Sequence, residues 1–298
     1  MSRRFVYLIN PISGTRQKQS LSDLISETTR REGIPFEILP TVASGDYQFL
    51  EEKIIEENIT DVVICGGDGT VNQVVHPLAK TGVRFGLIPM GSGNGLALAA
   101  GISREPRQAM KTIFEGNAQM VDGFMVNKQF ACMLCGLGLD ALVAHEFATQ
   151  GKRGLATYAK LTTRNFFSAK PYQFGVEANN LQFSADAYFV SIANSNQFGN
   201  NFTIAPQANL SDGLLDVVIV KKTLKPFLLL NVLQQVWGGK IQKIENSLNS
   251  PVIYFQTGAL KINNRQMAPM HIDGDPKESE AELEIEVLPQ YFNLIQPL

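Results

Sequence analysis

The 298-residue sequence predicts an α/β N-terminal domain built on a parallel sheet, followed by a mostly antiparallel β domain. Over the first 120 residues, short β-like runs alternate with helical periodicity, and each β run ends in a turn-forming cluster. After about residue 125 the runs take on period-two character and helices become few. A chain of this length accommodates two domains of roughly 130–170 residues.

Phe5 to Ile9 reads as the first strand and passes into Asn10-Pro11-Ile12-Ser13-Gly14. A polar helix around Lys18 to Arg31 carries Leu21, Leu24 and Ile25 on one face. Phe36 to Leu39 is the second strand, closed by Pro40-Thr41, and a helix near Asp46 to Glu57 leads to the third. In that third run, Asp61-Val62-Val63-Ile64-Cys65, the apolar residues are continuous, the pattern of a strand covered on both faces. It feeds Gly66-Gly67-Asp68-Gly69-Thr70. A helix through Val74 and Leu78, a strand from Arg84 to Ile88, the loop Pro89-Met90-Gly91-Ser92-Gly93-Asn94 and another helix complete the first half. Beyond it, Tyr172 to Ala178, Ala185 to Ala193 and Leu214 to Lys221 read as strands. Helices are expected at Asp140 to Gln150, around Tyr158 and at Pro226 to Gly238, where Pro226 suits a first turn and Gly238-Gly239 an end. The change of pattern divides the chain into residues 1–125 and 126–285.

A formal net charge of -2 and an isoelectric point near 6.0 leave no basic field for nucleic acid, so no nucleic-acid partner is expected. The apolar run behind Arg3 and Arg4 stops at Asn10-Pro11, too short for a secretion signal. No stretch reaches the ~18 apolar residues of a membrane span. The richest, Phe227 to Trp237, is interrupted by Asn231, Gln234 and Gln235, and a cytoplasmic protein is the expectation. Core packing is expected of Trp237, and Lys152-Arg153 and Lys221-Lys222 read as solvated surface. Cys132 and Cys135 form a CxxC, but apolar neighbours surround them and no second Cys or His pair lies nearby. Buried strand cysteines are therefore expected, ahead of zinc or redox chemistry. His76, His145 and His271 show no metal-ligand spacing and read as helix or strand residues.

In an open parallel sheet a ligand sits beyond the carboxyl ends of the strands, where helix N-termini present N–H groups and partial positive charge. All three polar loops of the first half fall there. Glycines in Gly66-Gly67-Asp68-Gly69-Thr70 let the backbone approach a phosphate, and Thr70 can cap a helix or bond a phosphate oxygen. Asp68 is the informative residue. A carboxylate facing an anion is repelled unless a cation lies between them or it handles a proton, so the loop implies Mg²⁺ or general-base chemistry. The competing reading is a tight turn whose Asp caps a helix. Neither GxxxxGK[ST] nor GxGxxG is present, which removes the P-loop and dinucleotide readings' main support.

Taken together, Asn10-Pro11-x-Ser13-Gly14, Gly66 to Thr70 and Pro89-x-Gly91-Ser92-Gly93-Asn94 resemble the catalytic region shared by diacylglycerol kinases, sphingoid-base and ceramide kinases and bacterial lipid kinases. Gly136-Leu137-Gly138-Leu139-Asp140-Ala141, Ile192-Ala193-Asn194, Ile204-Ala205-Pro206-x-Ala208, Ser211 to Asp216 and Asp273-Gly274-Asp275 extend the resemblance over nearly the whole chain. It implies an α/β domain of the NAD kinase/diacylglycerol kinase type, a C-terminal β-sandwich domain, nucleotide in the cleft between them, and residues 286–298 returning to the first domain. ATP would be the donor, Mg²⁺ the metal and a lipid hydroxyl the acceptor, with diacylglycerol first. The lipid would be met at the inner face of a membrane through transient peripheral contact, and a homo-oligomer is compatible with this reading.

Carried over by position, Asn10, Pro11, Ser13, Gly14, Thr41, Gly66, Gly67, Asp68, Gly69, Thr70, Asn72, Gly91, Ser92, Gly93 and Asn94 would hold the nucleotide. Asp212 would bind metal through its carboxylate, with the carbonyls of Asn209 and Leu214. The family's usual DGE is Asp273-Gly274-Asp275 here, so Asp275 is one methylene shorter than the expected base, and Asp68 and Asp273 compete for the role. Gln73 and His76-Pro77 also depart from the pattern. The wording of Gly91 to Ala97 makes a sphingoid base or ceramide the rival acceptor. An NAD kinase-like enzyme and a catalytically silent lipid-binding regulator are the other readings.

Overall fold

The computed structural model describes residues 2–11, 18–149, 161, 164–165, 168–197, 205–222 and 251–298. Ser13, Gly14, Ile204, Lys152-Arg153, Trp237, and the helices expected around Tyr158 and at Pro226 to Gly238, lie outside the described residues. The chain forms two units, Met1–Asp122 with Gln290–Leu298, and Gly123–Pro289. The boundary falls close to the change of sequence pattern, and the returning segment starts at Gln290 rather than at residue 286.

In the first unit β1 (Phe5–Ile9), α1 (Lys18–Arg31), β2 (Phe36–Pro40), α2 (Gln48–Glu56), β3 (Asp61–Gly66), α3 (Asp68–Leu78), β4 (Arg84–Pro89), α4 (Gly95–Ala99) and α5 (Pro106–Glu115) alternate as the sequence predicts. β5 (Asn117–Val126) then runs across the unit boundary. β1 pairs with both β2 and β3, β3 with β4, and β4 with Asn293 and Leu294 of the returning segment, all in parallel. The resulting order 2-1-3-4 reverses direction between β1 and β3, the switch point at which open α/β sheets bind ligands. Every residue of β3 is buried, as its apolar run requires, whereas β2 is the half-exposed edge. On α1, Leu21 and Ile25 face the core and Thr29 bonds the buried Tyr7 hydroxyl over 2.8 Å.

At the opposite, N-terminal edge of this sheet the chemistry is structural. Asp61 is fully buried and accepts from Arg3 Nη2 and Arg84 Nη2, each at 2.7 Å, and from the Thr60 hydroxyl at 2.6 Å. Arg3 also donates to the carbonyls of Ile113 and Phe114, so its charge sits at the C-terminal end of α5, where the helix dipole favours a cation.

The second unit contains β6 (Gln129–Ala131), β7 (Leu134–Gly138), α6 (Leu139–Thr149), β8 (Tyr172–Ala178), β9 (Leu181–Ala193), β10 (Leu215–Lys221), β11 (Val252–Thr257), β12 (Ala259–Asn263), β13 (Met270–Ile272), β14 (Asp275–Lys277) and most of β15 (Glu282–Gln296). Within it β7 to β14 pair antiparallel. The long β9 gives its first half to β8 and its second half to β7 and β10, so both groups of strands share one apolar core. Strict alternation in Leu283, Ile285 and Val287, all buried between exposed glutamates, is the half-buried pattern of such a strand. Among the described residues no helix is long and apolar enough to cross a membrane.

Candidate active site

The first unit gathers three predicted loops at the β1/β3 switch point. Asn10 follows β1, its N–H bonds the Cys65 carbonyl, and its side-chain amide donates to Thr70 Oγ1 over 2.7 Å. Thr70 is therefore not a helix cap. It sits in the first turn of α3, buried, linking that turn to the loop after β1. The N-cap of this 11-residue helix is Gly67, a residue with no side chain to cap its first N–H groups, and the turn begins where an anion would meet them. Pro11 lies exposed beyond Asn10, Thr41 bonds the Ile9 carbonyl after β2, and Asn72 is half-buried on α3.

The glycines are required by contact between the two loops. A Cβ at residue 91 would stand 2.7 Å from Gly67 Cα and 2.9 Å from Asn94 Oδ1, and one at residue 67 would stand 3.0 Å from Gly91 Cα. Asn94 adopts a left-handed conformation (φ 54) and locks its loop by accepting from Gly91 N–H at 2.8 Å and donating to the Gly91 carbonyl at 2.7 Å. Arg104 donates to the Gly93 carbonyl beside the half-buried Ser92. Gly91→Ala pushes the loops apart, and a loss of about 10- to 100-fold in kcat/KM for the nucleotide is expected in steady-state kinetics, the scale of an ångström's misplacement.

Asp68 joins two of the loops. Its carboxylate accepts from Gly95 N–H at 3.0 Å and Leu96 N–H at 3.3 Å, capping α4 rather than its own helix. The bond ties the glycine-rich loop after β3 to the loop after β4. It also means that the α4 N-terminus is occupied by a protein carboxylate.

The second unit holds the remaining carboxylates. Asp273 and Gly274 both have positive φ (50 and 84) and form the two-residue turn joining β13 to β14, with Ile272 opposite Asp275. The buried Asp273 carboxylate accepts from the N–H groups of Cys132 (3.0 Å), Met133 (2.9 Å) and Leu134 (3.0 Å). These bonds anchor the turn on the segment between β6 and β7. Asp275 follows the turn and is exposed. Cys132 and Cys135 are buried, the former with Sγ against Asp273, and burial pushes the Cys135 thiol far up. Burial is as expected, although only Cys135 lies in a strand and Cys132 sits in the bend between β6 and β7.

At the predicted metal segment, Asp212 Oδ1 accepts from Leu214 N–H at 3.1 Å across a turn in which Gly213 has φ 72. Asn209 Oδ1 accepts from Ser211 N–H at 3.1 Å. Both side chains are exposed, and the candidate donors are all oxygens, which fits a hard cation such as Mg²⁺. Nearby, burial pushes Asp216 up to about 6, a bond from Gln256 lowers it and Asp212 adds to the rise. Among the described residues no cluster of three His, Cys, Asp or Glu side chains offers another metal site.

Comparison with known proteins identifies the family. Residues 4–126 match the diacylglycerol kinase catalytic domain, and residues 134–296 match the YegS C-terminal NAD kinase beta sandwich-like domain. The chain belongs to the YegS/diacylglycerol kinase family. A curated relative named "Probable lipid kinase YegS-like" from Shewanella frigidimarina is 26% identical over 275 residues, covering 90% of this chain and 86% of that one. The Bacillus subtilis protein named diacylglycerol kinase is 26% identical over 278 residues, covering 91% and 89%. A crystal structure titled as a diacylglycerol kinase from Bacillus anthracis superimposes with a TM-score of 0.72 at 18% identity, covering 99% of this chain and 97% of that one, and shares its fold.

The family's two-domain plan, an α/β domain with parallel strands and a β-sandwich domain, is the one observed. Sequence reasoning missed the Asp68 cap on α4, the anchoring of Asp273, and the Tyr291 hydroxyl bonded to His76 Nδ1 at 3.0 Å. The dipeptide Asp273-Gly274 after Met270-His271-Ile272 was a readable turn signal. The others join residues far apart in sequence and leave no local trace.

Proposed function

We propose that this member of the family is a lipid kinase that transfers the γ-phosphoryl group of ATP to a lipid hydroxyl at a membrane surface, with diacylglycerol as the acceptor. The observation that carries the nucleotide half is the α3 N-terminus, begun by Gly67 at the β1/β3 switch point, where two glycine loops abut. Backbone N–H groups there face the phosphates, and Asn10, Thr70 and Asn94 hold the loops in place. Such preorganised donors stabilise charge without reorganising during reaction.

Asp275 accepts the lipid hydroxyl proton as the hydroxyl oxygen bonds the γ-phosphorus and the bond to the β–γ bridging oxygen breaks, releasing ADP. Asp212 and the carbonyls of Asn209 and Leu214 would hold Mg²⁺, which when bound offsets negative charge and stiffens the turn. Support for the acceptor comes from the names of relatives and from the sequence resemblance.

The test is transfer of labelled γ-phosphate from ATP and Mg²⁺ to diacylglycerol, monoacylglycerol, sphingosine, ceramide and NAD in mixed micelles. Labelled phosphatidic acid is the expected product. Labelling of sphingosine or ceramide instead would replace the acceptor, and ATP binding without transfer to any lipid would overturn the kinase reading.

A further inference from the structure

We propose that Asp140 and His271 form a buried carboxylate–imidazole pair that positions the Asp273-Gly274 turn, and with it the Asp275 carboxylate; this rests on Asp275 acting as the base. His271 on β13 is 1% exposed and Asp140, in the first turn of α6, is 8% exposed. Nε2 and Oδ2 lie 3.6 Å apart, an electrostatic contact rather than a direct hydrogen bond. On the other side of the ring, Gly274 N–H donates to His271 Nδ1 at 3.2 Å. A ring nitrogen that accepts carries no hydrogen, so the neutral imidazole bears its hydrogen on Nε2, facing the carboxylate. The carboxylate thus selects the tautomer that can receive the turn's N–H.

Gly136 makes room for the pair. It stands directly opposite His271 in the β7–β13 register, and a Cβ there would fall 2.1 Å from Asp140 Oδ2 and 2.3 Å from His271 Nε2. Gly138, with φ 92, turns the chain from β7 into α6, so that Asp140 comes back over Gly136. His145, farther along α6, bonds the Met270 carbonyl at 2.7 Å, giving the helix a second grip on β13. The motifs Gly136-Leu137-Gly138-Leu139-Asp140 and Asp273-Gly274-Asp275 are then two halves of one device. Burial pushes the Asp140 carboxyl up and its interaction with His271 opposes that rise.

Two amides separate the ring's two functions. Asn carries an oxygen at the place of Nδ1 and can still accept from Gly274, whereas Gln places an N–H near Nε2 and offers no acceptor to the turn. His271→Gln is expected to lower kcat by about 10- to 100-fold with KM for ATP unchanged, the scale of a slightly misplaced group. His271→Asn restores most of that loss, and Asp140→Asn, which removes the charge that selects the tautomer, lowers kcat without moving KM. Amide hydrogen exchange at Gly274 is read in parallel. It should accelerate in His271→Gln and stay slow in His271→Asn.

Equal loss of kcat and of thermal midpoint in both His271 variants would reduce the pair to packing and overturn the proposal, as would unchanged exchange at Gly274 in His271→Gln. If the parent protein phosphorylates no lipid, the kinase reading fails, and the Gly274 exchange pattern still decides whether the pair holds the turn.

Discussion

Asp275→Asn lowers kcat for lipid phosphorylation by about 10²- to 10⁴-fold, the contribution of a general base, while KM for ATP and the thermal midpoint stay near those of the parent. The side chain is exposed, and backbone pairing with Ile272 holds the residue in the hairpin. An isosteric amide removes the proton acceptor while keeping the side chain's size and the backbone pairing. Asp275→Glu, which adds the methylene usual in the family, should keep measurable turnover. Kinetics of the purified variants with lipid in mixed micelles decide the matter. Turnover within a few-fold of the parent in Asp275→Asn would move the base role to Asp68. Asp68→Asn has a different signature, because weakening the cap on Gly95 and Leu96 disturbs the loop after β4 and should raise KM for ATP along with any fall in kcat.

Asp273→Ala has the largest expected effect on stability. Its carboxylate satisfies three consecutive backbone N–H groups at 2.9–3.0 Å in a buried site, and Ala leaves all three without that acceptor. Bonds to a charged acceptor contribute about 1.5–3 kcal/mol each and do not add in full, so a loss of about 3–5 kcal/mol is expected. For a unit of this size that lowers the thermal midpoint by about 10 °C. Asp273→Asn keeps one acceptor oxygen and tolerates the left-handed backbone, so it should lose roughly half as much. Thermal and urea unfolding of the two variants measure this. Were Asp273 the base, Asn would instead abolish turnover and leave stability unchanged.

The first unit was legible because its information is local. β3 announces itself as a continuous apolar run, and glycine-dense loops at strand ends mark where a phosphate can approach. The same loops named Asn10, Asp68, Thr70 and Asn94, which the structure brings together. Their separate tasks were not legible. Asp68 could have capped its own helix, and only the chain's return through β4 places Gly95 and Leu96 within reach of its carboxylate.

The second unit shows the division more sharply. Three carboxylates in the sequence, Asp68, Asp273 and Asp275, are chemically equivalent candidates for a base. Asp273 and Asp275 sit two residues apart, yet the first is buried on a bed of N–H groups and the second is exposed. What separates them is the I′-type turn together with the backbone of Cys132 to Leu134, which no local pattern connects to it. By itself the sequence determined the periodicities, the turn chemistry and the residue types of the site, since these depend on neighbours along the chain. The tertiary structure alone decided which carboxylate caps, which anchors and which stays exposed, because a carboxylate's role is set by the donors and burial that distant segments bring to it.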